Sequence, residues 1–182
     1  MPHDLTSSDI EAYTQGRLSA NDPETVRALD AALARARNFC GWHVSPVCAE
    51  TIVLDGSGSY YLALPTLKIV SINTVTVDGI EIDDVAMPAD APGMLARRSW
   101  GRWPCGFSNV EVDFTHGFTA TQASDFREAI LRMVDQAASL VESDSVPLKE
   151  KKIDDITYKW SEAVQRVSLD QTALGQYRLF AL

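Results

Sequence analysis

The sequence predicts an α+β fold in which two long packed helices bracket an inserted antiparallel β-unit, with an extended C-terminal tail. Two segments carry apolar residues at helical spacing, and short runs rich in β-branched residues lie between them. The order of elements is not the βαβ alternation of a parallel sheet. Four segments are predicted: an N-terminal helical segment (1–45), the inserted β-unit (46–118), a second core helix (119–148), and a C-terminal tail with a short helix (149–182).

The first long helix is predicted from Pro23 to Cys40. Asp22 is a favourable N-cap, Pro23 suits the first helical position, and Glu24 complements the helix dipole. Gly41 ends the helix. One apolar stripe recurs at steps of three and four, made by Val26, Leu29, Leu33, Ala36 and Cys40.

Five or six antiparallel strands are predicted in the β-unit. Turn signals separate them, and Asp78-Gly79, flanked by Val77 and Ile80, is the strongest hairpin signal in the chain. We also expect a hairpin loop at Asp55–Ser59 and a turn at Pro104–Ser108. The expected strands include Thr51–Leu54, Tyr60–Leu64, Ile72–Val77, Arg97–Trp103 and Val110–Thr115.

The remaining helices are predicted from the same two signals, capping and apolar spacing. A second long helix runs from Ala123 to Glu142, capped by Thr121 or Ser124. A shorter one is expected from Ser8 to Gly16, with Ser7 or Ser8 as its cap. In the tail, an extended stretch at Ile156–Trp160 precedes a short helix that starts at Asp170.

Composition limits the possible functions. A net charge of −9, with seven acids against one base between Glu50 and Asp90, argues against a dedicated nucleic-acid binder. Three cysteines cannot all pair with one another, and the first residues lack the features of a secretory leader. We therefore expect free thiols in a reducing cytoplasm. No apolar run approaches the roughly 20 residues of a membrane span, so no membrane association is expected.

Cys40, His43 and Cys48 are residue types that bind metal ions, and Cys105 or His116 could supply a fourth ligand. Structural zinc sites usually present two closely spaced ligand pairs, whereas the spacing here is irregular. Cys40 also fits the apolar stripe of its helix, and free cysteine commonly behaves as a small buried hydrophobe. The sequence therefore favours no metal ligand and no cofactor.

Bases and aromatic residues alternate at Arg97, Arg98, Trp100, Arg102 and Trp103. This composition is typical of a platform for single-stranded nucleic acid. It equally suits a β-hairpin whose arginine stems cover apolar surface while the tryptophan rings face the core. The acidity of the chain favours the hairpin. A third possibility is that the arginines contact acidic groups on a partner protein.

The acidic and glycine-rich segments carry no complete catalytic signature. Asp83-Asp84 and Asp154-Asp155 are paired carboxylates in or beside predicted turns, with no adjacent base to complete a site. The glycine-rich Asp55–Ser59 segment lacks the lysine and the following helix of a phosphate loop. No catalytic residue is assigned, and the chain is predicted not to be an enzyme.

The C-terminal end is apolar, with Tyr177, Leu179, Phe180 and Leu182 close together. Such an end can dock on its own domain, as ordered termini usually do. It can also dock on a neighbouring chain by strand addition or groove binding. The sequence leaves both interpretations open.

Several segments together resemble one family, the head-to-tail adaptor proteins of long-tailed bacteriophages. Ala36–Pro46 is similar to the family's helix exit, and Leu62–Leu67 followed by Val75–Gly79 to its β-unit. Trp103-Pro104 with Val110–Phe118 resembles the strand that leads to the second helix. Leu169 and Tyr177–Leu179 resemble its C-terminal end. Lys149–Trp160 departs from the family by being charged where a glycine-rich stretch is expected.

The resemblance implies a structural virion protein of the head–tail neck, made in the cytoplasm of the bacterial host. It implies a homo-oligomeric ring, usually of twelve copies, between the portal protein and the next tail-ward connector or stopper protein. Genome DNA would pass through the ring without sequence-specific binding, and an acidic lumen would let it slide. The expected portal contacts are Tyr158, Trp160, Tyr177, Arg178, Leu179, Phe180 and Leu182; the expected subunit–subunit contacts are Arg97, Arg98, Trp100 and Arg102.

Two other functions remain open. The first is another phage neck or tail component, a stopper or tail-terminator, which we expect to be dominated by β-structure. The second is a zinc-binding or single-strand nucleic-acid module.

Overall fold

The computed structural model describes residues 3–99, 101–142, 150–153, 156–159 and 171–179. Helices and antiparallel sheets are both present, which confirms the predicted α+β class. The helices are α1 (Ser7–Tyr13), α2 (Pro23–Cys40), α3 (Ser124–Glu142) and α4 (Gln171–Gly175). The strands are β1 (Cys48–Ser57), β2 (Tyr61–Ala63), β3 (Ile69–Val77), β4 (Ile80–Glu81), β5 (Val85–Ala86), β6 (Met94–Arg97), β7 (Cys105–His116), β8 (Glu150–Ile153) and β9 (Ile156–Lys159).

Helix α2 has the predicted bounds because both of its ends are capped locally. The Asp22 carboxylate accepts a hydrogen bond from the Glu24 backbone N–H at 3.0 Å. Gly41 has φ of 83° and donates its N–H to the Arg37 carbonyl at 2.7 Å. The predicted apolar stripe is buried except for Val26, which is 43% exposed.

Helix α1 differs from the prediction at its N-cap. Thr6, and neither Ser7 nor Ser8, caps α1 by exchanging hydrogen bonds with Asp9 in a capping box. Before α3, the side chains of Thr119 and Gln122 each accept a hydrogen bond from the other's backbone N–H. These bonds stabilise the turn before α3, and the cap at Thr121 or Ser124 stays a prediction.

The described residues of the β-unit form two sheets with seven strands, where five or six strands were predicted. One sheet has the order β1-β7-β3-β4 and the other β2-β6-β5, with antiparallel pairing throughout. The predicted Asp78-Gly79 turn joins β3 to β4, with φ of 52° and 78° at its two residues. Two positive φ angles are the signature of a type I′ turn, so this hairpin is confirmed.

Three local predictions within the β-unit were wrong, and in the first two long-range strand pairing overrode turn composition. Strand β1 continues to Ser57 instead of turning at Asp55–Ser59, since Ser57 pairs with Cys105 beyond a bulge at Leu54/Gly56. Pro104–Ser108 is not a turn, because Cys105 begins β7. Arg97–Trp103 is not a strand either, because β6 ends at Arg97.

The core of the β-unit is a cluster of buried side chains from strands of both sheets, from the residue after β2 and from the segment before β7. Trp103 is its largest member at 1% exposure, and its indole N–H donates to the Leu95 carbonyl at 3.3 Å. A buried tryptophan with a satisfied N–H combines large apolar burial with no unpaired donor. The cluster comprises Leu62, Leu64, Val75, Leu95, Trp103, Val110, Val112 and Phe114.

The chain forms two compact units. One holds residues 3–4, Arg37–Ser124 and residues 177–179; the other holds Leu5–Ala36 and the described residues of Asp125–Gln176. In the second unit, α1 contacts α3 through a hydrogen bond from the Tyr13 hydroxyl to Glu128 at 3.3 Å. The predicted four-segment division of the chain stays a prediction beside this grouping.

The described helices do not meet the requirement of a membrane crossing. None of them combines the length and the apolar character that a span needs.

Candidate functional site

The end of α2 receives the C-terminal segment, defined here as Tyr177–Leu179. The Leu179 N–H donates to the Cys40 carbonyl at 2.8 Å, which satisfies a carbonyl that the helix leaves unpaired. The Trp42 indole N–H donates to the Tyr177 carbonyl at 2.7 Å. Glycine suits position 41 because its φ of 83° is a backbone conformation that residues with a Cβ rarely adopt.

Side-chain packing reinforces these hydrogen bonds. The Tyr177 ring is 5% exposed and packs edge-to-face on Phe118, with 5.3 Å between the ring centroids. The Arg178 guanidinium lies 5.3 Å from the centroid of the Phe39 ring while its side chain stays exposed. Of the two interpretations that the sequence left open, docking on the same chain therefore holds for these three residues.

The other predicted portal contacts are only partly within the described structure. Tyr158 lies on β9, which pairs with β8. Trp160, Phe180 and Leu182 lie outside the described residues.

The predicted subunit-contact arginines lie around β5 and β6, and each has a partner in its own chain. Arg97 forms an ion pair with Asp84 at 2.5 Å. Arg98 donates from Nε to the Val85 carbonyl at 2.9 Å, and Arg102 lies over the Tyr60 ring at 4.8 Å. Arg98 and Arg102 are exposed, whereas Trp100 lies outside the described residues.

The Asp84 carboxylate is the acidic centre of this group. A hydrogen bond from the Ser99 hydroxyl, and then one from Arg97, lower the pKa of Asp84.

The expectation that tryptophan faces the core holds for Trp103, which is buried. The Arg97 guanidinium lies 5.9 Å from the centroid of the Trp103 ring.

Three residues from the metal candidates come together at the opposite end of β1 from Ser57, in a group defined here as the histidine–cysteine cluster: His43, Cys48 and His116. Cys48 opens β1 and pairs directly with His116 at the end of β7. Directly paired residues on antiparallel strands place their side chains on the same face. His43 joins them from the loop after Gly41, where Val44 has a φ of 65°.

One potential donor atom from each of the three residues lies within 4.8 Å of the others. The Cys48 sulfur is 3.4 Å from His43 Nε2 and 4.0 Å from His116 Nε2. His116 Nε2 is also 2.9 Å from the Glu50 carboxylate, and His43 Nε2 is 2.7 Å from the Pro46 carbonyl. Both oxygens only accept hydrogen bonds, so each Nε2 carries a proton in this arrangement.

Burial controls the protonation of the cluster. Desolvation is the main cause that lowers the pKa of His43 and the pKa of His116, so both imidazoles are neutral near pH 7. Desolvation, with the nearby Glu50 charge, raises the pKa of the Cys48 thiol. A neutral imidazole is the form that binds a metal ion, whereas a thiol has to lose its proton first.

The remaining metal candidates are elsewhere. Cys40 is fully buried, as its position in the apolar stripe predicted, and burial raises the pKa of its thiol to about 11. Cys105 is exposed at the start of β7, whereas His116 ends that strand. No sequence pattern groups Glu50 with His116, because only the β1–β7 register brings the two residues together.

The fold of this chain resembles the folds of chains in several solved structures. No protein-family model and no curated protein matches the sequence. Among solved structures, the chain is similar to a chain in the neck of a native gene transfer agent (GTA) particle computed with C12 symmetry. The TM-score is 0.60 at 14% identity, over 100% of this chain and 97% of that one. A chain in the neck of an empty GTA particle computed with C6 symmetry gives 0.59 at 14% identity, over 98% and 91%. The same values relate it to a chain in the virion of the native GTA particle, so this chain has the fold of a neck subunit.

Proposed function

We propose that this chain is a head-to-tail adaptor, a structural virion protein that forms a ring between a portal and the next tail-ward connector. The observation that carries the proposal is the fold likeness to a neck subunit, which extends over 100% of this chain and includes both compact units. The ordered resemblance of four sequence segments to the adaptor family supports it independently. Its role is to join two protein interfaces and extend a DNA conduit without catalysis.

The order of elements favours an adaptor over a stopper or tail-terminator. Two helices precede the β-unit and a third long helix follows it. The alternatives are expected to consist mainly of β-structure. In an adaptor the helices supply the body of the subunit, which agrees with the buried apolar faces of α2 and α3.

A homo-oligomeric ring of twelve copies is part of the proposal. The neck subunit with the higher TM-score was solved in a neck computed with C12 symmetry. Heterologous contacts form a ring when the repeated rotation between neighbours closes on itself, and an open filament when it does not. The acidic stretch from Glu50 to Asp90 suits a lumen through which DNA slides, because like charges prevent tight phosphate binding.

Arg98 and Arg102 are the members of the proposed subunit contact that are both described and exposed. Replacing Arg102 with glutamate is expected to weaken ring closure on a portal by on the order of tenfold, because it places a negative charge on an interface with an acidic neighbour. Sedimentation of portal complexes measures the number of copies retained. Arg102→Lys keeps the charge and serves as the control. Equal retention of the glutamate variant would remove Arg102 from the contact.

The C-terminal segment is the proposed portal contact, and Arg178 is its exposed member. Replacing Arg178 with glutamate is expected to lower portal affinity by on the order of tenfold without unfolding the chain. Co-sedimentation with purified portal rings measures the affinity, and circular dichroism checks the fold. Wild-type affinity would contradict a role for Arg178. Deleting 177–182 is a poorer test, because it also removes the buried Tyr177 ring.

A further inference from the structure

We propose that His43, Cys48 and His116, together with Glu50, form a binding site for a single Zn²⁺ ion. The site goes beyond the proposed adaptor function, and neither depends on the other. Two imidazoles, a thiolate and a carboxylate are all ligand types that zinc accepts, and four of them complete a tetrahedral structural site.

The distances between donor atoms agree with a shared ion. With Zn–S near 2.3 Å and Zn–N near 2.0–2.1 Å, tetrahedral geometry puts a sulfur and a nitrogen ligand roughly 3.5 Å apart. The Cys48 sulfur lies 3.4 Å from His43 Nε2 and 4.0 Å from His116 Nε2. Small side-chain rotations are therefore enough for these three atoms to share one ion.

Glu50 supplies the fourth donor from the side that faces solvent. Its carboxylate is 2.9 Å from His116 Nε2, and its side chain is 45% exposed. A nitrogen and an oxygen on one tetrahedral zinc are roughly 3.4 Å apart, so a small movement is needed. Cys48 and Glu50 are two residues apart on β1 and therefore point to the same face of the sheet.

The hydrogen bonds of the histidine–cysteine cluster show which protons a bound cation would replace. Nε2–H of His43 donates to the Pro46 carbonyl, and Nε2–H of His116 donates to Glu50. A bound cation would take the place of these two protons and of the Cys48 thiol proton, with each ring in its Nδ1–H tautomer. The His116 Nδ1 atom is buried with no hydrogen-bond partner among the described residues, so Nε2 alone anchors this ring in the metal-free form.

The site would stiffen the support of the C-terminal segment. The Trp42 ring stacks near His116, with 6.3 Å between the centroids, and its indole N–H holds the Tyr177 carbonyl. A zinc ion would tie the loop after α2 to the ends of β1 and β7. Trp42, which bonds the Tyr177 carbonyl, would then adjoin the ligand His43 in sequence and lie near the ligand His116 in space.

The test is metal titration of the full-length chain, stripped of metal under reducing conditions, with Zn²⁺ or Co²⁺ added alone. We expect one ion per chain, a higher melting temperature with Zn²⁺, and the near-ultraviolet charge-transfer band of a Co²⁺–thiolate bond. The Cys48→Ser variant should lose the charge-transfer band. Its Zn²⁺ affinity should fall by more than the roughly 10–100-fold that loss of an outer-shell partner costs. Cys105→Ser, which changes an exposed cysteine in the same way, should bind as the wild type does.

Several results would overturn the proposal. They are the absence of stoichiometric Zn²⁺ binding by the folded wild-type chain, unchanged affinity in Cys48→Ser, and loss of binding in Cys105→Ser. Circular dichroism of each metal-free variant checks that a variant that does not bind Zn²⁺ is still folded. Glu50→Gln, at a half-exposed position, provides a second variant that leaves the buried residues intact and should also weaken binding.

Discussion

Replacing Trp103 with alanine is expected to lower the free energy of unfolding by about 3–5 kcal/mol. The side chain is 1% exposed within the cluster that joins the two sheets of the β-unit. Its removal leaves a large cavity and also deprives the Leu95 carbonyl of the hydrogen bond at 3.3 Å. This core could not be predicted from neighbouring residues, because its members come from segments far apart in the chain.

Urea unfolding of the full chain, followed by far-ultraviolet circular dichroism, measures this difference. Phe107→Ala is the control, because Phe107 is 92% exposed and should change stability by no more than about 0.5 kcal/mol. A Trp103→Ala variant within about 1 kcal/mol of the wild type would contradict the assigned core.

Replacing Gly117 with alanine is expected to cost at least about 2 kcal/mol of stability. Gly117 has φ of 110°, a conformation that residues with a Cβ rarely adopt. A Cβ at this position would also lie 2.6 Å from the Pro46 carbonyl oxygen and 2.8 Å from His43 Nε2. Backbone strain and a clash with the histidine–cysteine cluster therefore act together.

Gly79→Ala separates these two causes. Gly79 also has a positive φ, at 78°, but a Cβ there would meet nothing within 4 Å. This control should cost only the roughly 1–2 kcal/mol of the left-handed conformation. Thermal and urea unfolding of both variants give the comparison. If Gly117→Ala costs no more than Gly79→Ala, the close approach at Gly117 has no energetic role.

Features fixed by neighbouring residues could be predicted from the sequence. The bounds of α2 follow from Asp22, Pro23 and Gly41, and the β3–β4 hairpin follows from Asp78-Gly79. In each case the residues that decide the backbone conformation lie within one turn of it. The burial of Cys40 was predictable for the same reason, since helical spacing alone places it on the apolar face.

Features fixed by strand pairing could not be predicted in this way. The glycine-rich composition of Asp55–Ser59 indicated a loop, yet pairing with β7 extends β1 through Ser57. The same register places Cys48 opposite His116, although 67 residues separate the two in the chain. The irregular spacing of His43, Cys48 and His116 in the sequence therefore did not predict that their donor atoms lie close together.

The docking of the C-terminal segment changes which residues should face a portal. Tyr177 was predicted as a portal contact from its apolar character, and the structure buries its ring against Phe118. Portal binding by this segment stays a prediction, with Arg178 as its exposed described residue. The apolar character of Tyr177 does not by itself show whether its side chain packs on the same chain or binds another protein.

The proposed function requires this chain to form a ring on a portal. The most direct measurement is the native mass of the purified chain mixed with purified portal rings, compared with the mass of each alone. We expect a complex that contains twelve copies of this chain per portal ring, the number given by the C12 symmetry of the similar neck. A portal that binds no copies, or that binds scattered copies without a fixed stoichiometry, would contradict the claim.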